Sequence, residues 1–268
     1  MDKKKILIYA HYYIPDVAST GQILRELAEG LLTDFDVTVI CVVPSYEGTV
    51  APEYKTKRFY KEEINGVKIL RVRVPEFSKT SKLSRIKNIV SYFFGAALAT
   101  FKVGKQSYVF SISQPPILGG LLGVWGKLVK RAKFIYNIQD FNPEQTIAVS
   151  YSKNKAVLKL LMFLDKFSCR CSDLVITVGR DLVETLNHRF GGKRVPKCAL
   201  INNWIDEKEI YPLRVKVNEN KCISCGKCVR ACPMDVEMLD NSRKRENGTE
   251  CILCLECVHS CMNDALKL

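Results

Sequence analysis

The first 213 residues alternate short apolar runs with amphipathic segments. Residues 4–10 carry an apolar run typical of a buried strand, and apolar residues then recur at helical spacing between positions 23 and 32. The same pattern predicts further strands at 36–44, 66–74, 108–114, 133–140, 173–179 and 198–204, and helices at 82–105, 117–131, 154–170 and 180–190. Apolar strands separated by helices indicate a parallel sheet covered on both faces. We therefore expect a Rossmann-like α/β domain of about seven strands.

Ligands of such folds bind beyond the carboxyl ends of the strands, so the residues that follow each strand are candidates for a site. His11, Gln114 and Asp140 follow the first, fourth and fifth predicted strands. Gly21 opens the first helix, where a glycine lets a phosphate approach the exposed N–H groups. No G-x-G-x-x-G follows the first strand, so the dinucleotide fingerprint is missing. A purely structural role for Gly21 stays open.

Charge and cysteine content divide the chain into two parts. It has 41 basic and 28 acidic side chains, a net charge of +13, and residues 214–268 hold only 9 and 8 of them. Eight of the 12 cysteines fall between Cys222 and Cys261. We therefore predict a first domain at 1–208, a linker at 209–216 and a small second domain at 217–268.

The cysteines of the second part form two runs with the spacing C-x2-C-x2-C-x3-C, offset by 29 positions. Three thiolates at two-residue gaps can hold one corner of an iron–sulfur cubane, and the fourth cysteine of each run ligates the other cluster. The predicted ligands of one [4Fe–4S] cluster are Cys222, Cys225, Cys228 and Cys261. Those of the second cluster are Cys251, Cys254, Cys257 and Cys232.

A pair of four-cysteine zinc sites is the alternative. Zinc prefers two C-x2-C pairs that are set apart, which two complete runs of this kind fit less well. The segment 217–268 resembles the bacterial two-cluster ferredoxins. This resemblance implies a small α+β fold, electron-transfer activity and a redox partner protein. Met262 stands where that family usually repeats the proline that follows Cys232 in the first run.

A second resemblance covers residues 3–212. The segments HYYIPDVASTGQ (11–22), NIQDFNPEQ (137–145), DLVITVGRDLVETL (173–186) and INNWID (201–206) occur in the order seen in the N-terminal half of retaining GT-B glycosyltransferases. The nearest are enzymes that extend lipid-linked oligosaccharides. The resemblance implies that this half binds the acceptor, that Gly21 faces the donor's diphosphate, and that Asp140 lies at the acceptor side of the cleft.

Where the family continues into a domain that binds the nucleotide-sugar, this chain enters the cysteine-rich segment. Two hypotheses follow, and the sequence assigns no catalytic residue to either. In the first, the chain is an iron–sulfur electron-transfer protein fused to an incomplete acceptor domain. In the second, it is a component of a membrane-associated glycosyltransferase for lipid-linked surface polysaccharide, with its nucleotide-sugar half on another chain.

The sequence also bears on location and surface partners. We find neither a secretory signal nor a membrane-spanning segment, and therefore expect a cytoplasmic protein. Basic residues, Lys79 and Arg85 among them, precede an apolar helical stretch at 89–101. An ordinary solvated surface is one interpretation, and attraction to anionic lipid at the inner face of the membrane is the other. No recognised module supports specific nucleic-acid binding.

Overall fold

A computed structural model describes residues 3–16, 19–78, 80–142, 144, 155–203, 215–234, 236–239, 251 and 254–267. Lys79 and most of the predicted linker at 209–216 lie outside them. The chain forms two compact units, residues 1–178 with 182–199, and residues 179–181 with 200–268. In the described part of the chain, no helix is long and apolar enough to cross a membrane.

The first unit is built on an eight-stranded sheet, which confirms the predicted Rossmann-like architecture. Its strands are β1 (Lys4–Tyr9), β2 (Phe35–Val42), β3 (Phe59–Ile64), β4 (Val67–Val72), β5 (Tyr108–Ile112), β6 (Lys133–Ile138), β7 (Leu174–Thr177) and β8 (Cys198–Leu200). They lie in the order β3-β4-β2-β1-β5-β6-β7-β8. From β4 to β7 the neighbouring strands run parallel, so their carboxyl ends share one edge of the sheet.

The edge strand β3 departs from the prediction of about seven strands in a parallel sheet. It pairs antiparallel with β4 across the turn at Asn65 and Gly66, both of which have positive φ. An Asn-Gly pair between two strands is a strong hairpin signal, because both residues tolerate left-handed backbone. The aromatic residues Phe59 and Tyr60 and the basic residue Lys61 therefore belong to a strand.

Within the described residues, five helices cover the two faces of the sheet: α1 (Ser19–Gly30), α2 (Lys82–Lys102), α3 (Leu118–Lys130), α4 (Lys155–Cys171) and α5 (Arg180–Phe190). Helix α1 packs its buried Leu24 and Ala28 in one core cluster, whereas α2 and α3 contribute to the other. Close approach of α3 requires Gly123, since a Cβ there would meet the Phe134 ring at 2.0 Å. The helices α2, α3 and α4 form a continuous layer, in which α3 packs against both of the others.

The second unit contains a small pseudo-symmetric domain. Strand β9 (Lys216–Val217) pairs antiparallel with β10 (Leu266–Lys267), and the short helices α6 (Lys227–Ala231) and α7 (Glu256–His259) contact one another. The two helices begin 29 positions apart, the same offset as the two cysteine runs. Each run therefore forms a loop followed by one helical turn.

Candidate iron–sulfur and ligand sites

The two cysteine runs have the same local geometry. A left-handed residue follows the second cysteine of each run, Gly226 after Cys225 and Leu255 after Cys254. This backbone reverses the chain and places the third cysteine in the helical turn that follows. Both third cysteines, Cys228 and Cys257, are buried. Both second cysteines are exposed.

Cys261, from the second run, lies with the first run. One small cavity is lined by Cys222, Cys225, Cys228 and Cys261, together with the apolar side chains of Val217, Ile223, Leu239 and Leu266. This is the predicted first ligand set, including its crossed member. The apolar lining lowers the local dielectric around the four sulfurs.

Cys232, from the first run, lies with the second. Burial raises the pKa of the Cys257 thiol, and the neighbouring Cys251, Cys232 and Cys254 raise it further. The pKa of Cys228 is likewise raised by burial and then by Cys222 and Cys225. Thiolates packed this closely repel one another, so the arrangement favours a positively charged group among them.

Backbone N–H groups contact the sulfurs of both crossed cysteines. The N–H of Val236 donates to Cys232 Sγ at 3.4 Å, and the N–H of Ala265 donates to Cys261 Sγ at 3.3 Å. These two contacts are equivalent under the 29-residue repeat. In the first run, the N–H of Ser224 also donates to Cys222 Sγ at 3.4 Å. Such donors stabilise ligated thiolates and tune the reduction potential of a cluster.

The donor set fits iron–sulfur clusters. Eight cysteine sulfurs in two groups of four, with N–H donors on the crossed members, are what two [4Fe–4S] clusters require. Across the described residues, no three His, Cys, Asp or Glu side chains have the spacing of ready metal ligands, so the assignment rests on the grouping of the cysteines and their N–H donors.

A second site lies at the carboxyl edge of the large sheet. A cavity of about 270 Å³ is bordered by residues that follow β1, β5 and β6 and by one face of α2. Its lining includes His11, Arg85, Asn88, Ser113, Gln114 and Asp140. Ser113 Oγ accepts the N–H of Gln139 at 3.0 Å and that of Asp140 at 3.5 Å, so it shapes the loop after β6. The cavity therefore lies where the fold predicts a ligand.

Of the two site residues predicted for this unit, only Asp140 borders the cavity. Asp140 is exposed and lines the cavity, whereas Gly21 is buried in the first turn of α1 and is not among the lining residues. Thr20 Oγ1, next to Gly21, donates to Gln114 Oε1 of the lining at 3.1 Å. Sequence reasoning did not place Arg85 or Asn88 in this cavity, because both belong to a helix and only residues that follow strands gave a signal.

His11 is held neutral in this cavity. Burial lowers the pKa of its imidazole to about 4, although a hydrogen bond with the Asn88 side chain opposes the shift. Its Nε2 is buried without a hydrogen-bond partner among the described residues. A neutral imidazole with one unsatisfied nitrogen can accept a hydrogen bond from a hydroxyl group.

Comparisons with known proteins match the small unit to a family and the first unit to a fold. Residues 214–262, which contain all eight clustered cysteines, match the family described as 4Fe-4S dicluster domain. The small unit is therefore a ferredoxin-type iron–sulfur domain, as the cysteine spacing predicts. A comparison with curated protein sequences finds no match for the chain.

The first unit has the Rossmann-like fold of one half of a GT-B glycosyltransferase. Sucrose-phosphate synthase from Thermosynechococcus elongatus superposes with a TM-score of 0.55 at 12% identity, over 79% of this chain and 51% of that chain. UGT71G1 of Medicago truncatula, solved with UDP-glucose, gives 0.47 at 7% identity, over 77% of this chain and 53% of that one. The chain spans about half the length of both proteins. The fold prediction is confirmed.

Proposed function

We propose that this chain is an electron-transfer protein that holds two [4Fe–4S] clusters through crossed cysteine ligands and exchanges electrons with a redox partner protein. The observation that carries the proposal is the grouping of Cys261 with the first run and of Cys232 with the second. When bound, [4Fe–4S] clusters supply one-electron chemistry.

The residues of the domain have separate tasks in this proposal. Buried Cys228 and Cys257 anchor the inner side of each ligand set, and the N–H donors at Val236 and Ala265 stabilise negative charge on the crossed sulfurs. Cys225 and Cys254 are exposed, so each ligand set reaches the surface at one point. A partner protein that docks over either cysteine comes close to a cluster.

Spectroscopy of anaerobically purified protein tests the proposal. We expect about eight iron and eight sulfide per chain, and a reversible one-electron signal for each cluster in electron paramagnetic resonance after reduction with dithionite. A Cys171→Ser variant, which changes a cysteine of the first unit, should give the same values. Zinc in place of iron and sulfide, or iron that cannot be reduced and reoxidised, would contradict the proposal.

The cavity of the first unit supports a second candidate function. Here the chain supplies the acceptor half of a glycosyltransferase for lipid-linked sugars, and another chain supplies the nucleotide-sugar half. A hydroxyl group of the acceptor would lie near His11 and Asp140 at the carboxyl edge of the sheet. The GT-B fold supports this candidate, and the clusters would then be structural or regulatory.

Sugar turnover discriminates between the two candidates. We expect the purified chain, added to a cell extract that supplies any nucleotide-sugar half together with nucleotide-sugars and lipid-linked acceptors, to release no more nucleoside diphosphate than the extract alone, because electron transfer involves no leaving diphosphate. Turnover that disappears in Asp140→Asn and persists in Cys225→Ser would instead favour the glycosyltransferase. The variant pair separates chemistry in the cavity from chemistry at the clusters.

A further inference from the structure

Large apolar side chains are exposed mainly on one surface of the first unit. Of the 17 large exposed hydrophobic residues in the described part of the chain, 12 lie on α2, α3 and α4. We define these 12 as the apolar face: Leu83, Ile86, Val90, Phe94, Leu98, Phe101, Trp125, Leu128, Val157, Leu160, Phe163 and Phe167. Clustered exposure of this kind marks an interaction surface, whereas scattered exposed residues need no explanation.

The apolar face is continuous from helix to helix. On α2 its members follow one another at steps of three or four positions from Leu83 to Phe101, which places them on one side of the helix. The rings of Phe101 and Trp125 meet edge to face with centroids 5.7 Å apart, and Trp125 Nε1 donates to the Ala97 carbonyl at 3.0 Å. Helix α4 continues the layer beyond α3.

The charges on these helices are almost all of one sign. Together, α2, α3 and α4 contain ten basic residues and a single acidic residue, Asp165. Asp165 is buried and paired with Arg189, so no carboxylate of these three helices is exposed. Lys82, Arg85 and Lys87 lie at the exposed amino end of α2, next to Leu83 and Ile86.

We propose that the apolar face docks onto an anionic membrane surface, with its aromatic and aliphatic side chains at the acyl boundary and its basic residues against lipid phosphates. An apolar surface edged by lysine and arginine is the pattern of proteins that lie on membranes. A second copy of the chain fits poorly, because these helices carry ten basic residues in each copy and no exposed carboxylate that could pair with them. The proposal is independent of the electron-transfer function.

Vesicle sedimentation of the full chain tests this surface. Vesicles of phosphatidylglycerol and phosphatidylcholine should bind the protein, and vesicles of phosphatidylcholine alone should bind it far less. The variant K82Q/R85Q/K87Q should bind the anionic vesicles on the order of 100-fold more weakly, since each basic residue near the surface contributes about fivefold. The variant F94S/F101S/F163S, which removes three of the most exposed rings, should also lose binding.

A charge-matched variant controls for net charge alone. K3Q/K4Q/K5Q removes three exposed lysines at the amino end of β1, at the opposite edge of the sheet from the amino end of α2, and should bind nearly as well as the wild type. Far-UV circular dichroism and cluster absorption check that each variant is folded. The proposal would be overturned if the protein bound neutral vesicles equally well, or if the control variant lost binding to the same extent. It would also be overturned by a stable dimer that F94S/F101S/F163S dissociates, or by a monomer that binds no vesicle.

Discussion

Replacing Cys261 with serine is expected to remove the same cluster as replacing Cys225, although the two residues belong to different cysteine runs. Both line one cavity with Cys222 and Cys228, so either substitution takes one of four thiolates from the same ligand set. Each variant should lose about half of its iron and leave the same residual paramagnetic spectrum. The complementary variants, Cys232→Ser and Cys254→Ser, should lose the second cluster and share the paramagnetic spectrum of the first.

The remaining cluster should also be less stable in all four variants. The crossed ligands connect the two halves of the domain, and its buried core consists of few apolar residues beside Cys228 and Cys257. Metal binding supplies much of the folding free energy of such small domains. Iron release to a chelator should therefore be faster than in the wild type or in Cys171→Ser. If Cys261→Ser matched Cys254→Ser, the ligands would be uncrossed and the assignment wrong.

The sequence predicts the iron–sulfur domain well because its chemistry is local. Two runs with fixed spacing determine which thiolates lie in one loop, and the 29-residue repeat indicates that the two halves are equivalent. The pairing of Cys232 with Cys251, Cys254 and Cys257 also follows from the spacing, since the fourth cysteine of each run lies beyond the helical turn. The bounds of the small domain, 217–268, stay a prediction.

The large sheet was predictable in architecture but not in detail. Apolar runs located all the parallel strands, whereas the edge strand Phe59–Ile64 has three consecutive charged residues and no apolar run that would predict it. The Asn65-Gly66 turn was the available signal. The apolar face could be anticipated on α2 alone, because only the crossover connections decide that α3 and α4 lie on the same side of the sheet.

The buried charges of the first unit were beyond sequence reasoning. Arg189 lies 24 residues from Asp165 and 45 from Glu144 along the chain, and nothing in the local pattern pairs them. Arg189 Nε donates to Glu144 Oε1 at 2.6 Å, and its Nη2 donates to the carbonyl of Asn142 at 2.9 Å. Asn142 lines the cavity near Asp140, so this arginine holds the loop that borders the candidate acceptor site.

Replacing Arg189 with methionine should destabilise the first unit by about 3–5 kcal/mol, because it leaves the carboxylate of Asp165 buried without its cation. A loss of this size lowers the midpoint of thermal unfolding by on the order of 10 °C for a unit of this size. Helical circular dichroism follows the transition, since the long helices belong to the first unit. The exposed pair of Lys68 and Asp36, 3.2 Å apart, provides the control: Lys68→Met should cost about 1 kcal/mol or less.

Adding Asp165→Asn to Arg189→Met should restore part of the lost stability, because the double variant buries no unpaired charge at this position and the Tyr136 hydroxyl, 3.0 Å from Oδ1, keeps an acceptor. The penalty of the single variant should also shrink as the pH falls. Burial already raises the pKa of Asp165 in the intact protein, and without Arg189 its protonation offsets the buried charge. If Arg189→Met unfolded at the wild-type temperature, or if Asp165→Asn deepened its loss, the ion pair would not be what stabilises the loop beside the cavity.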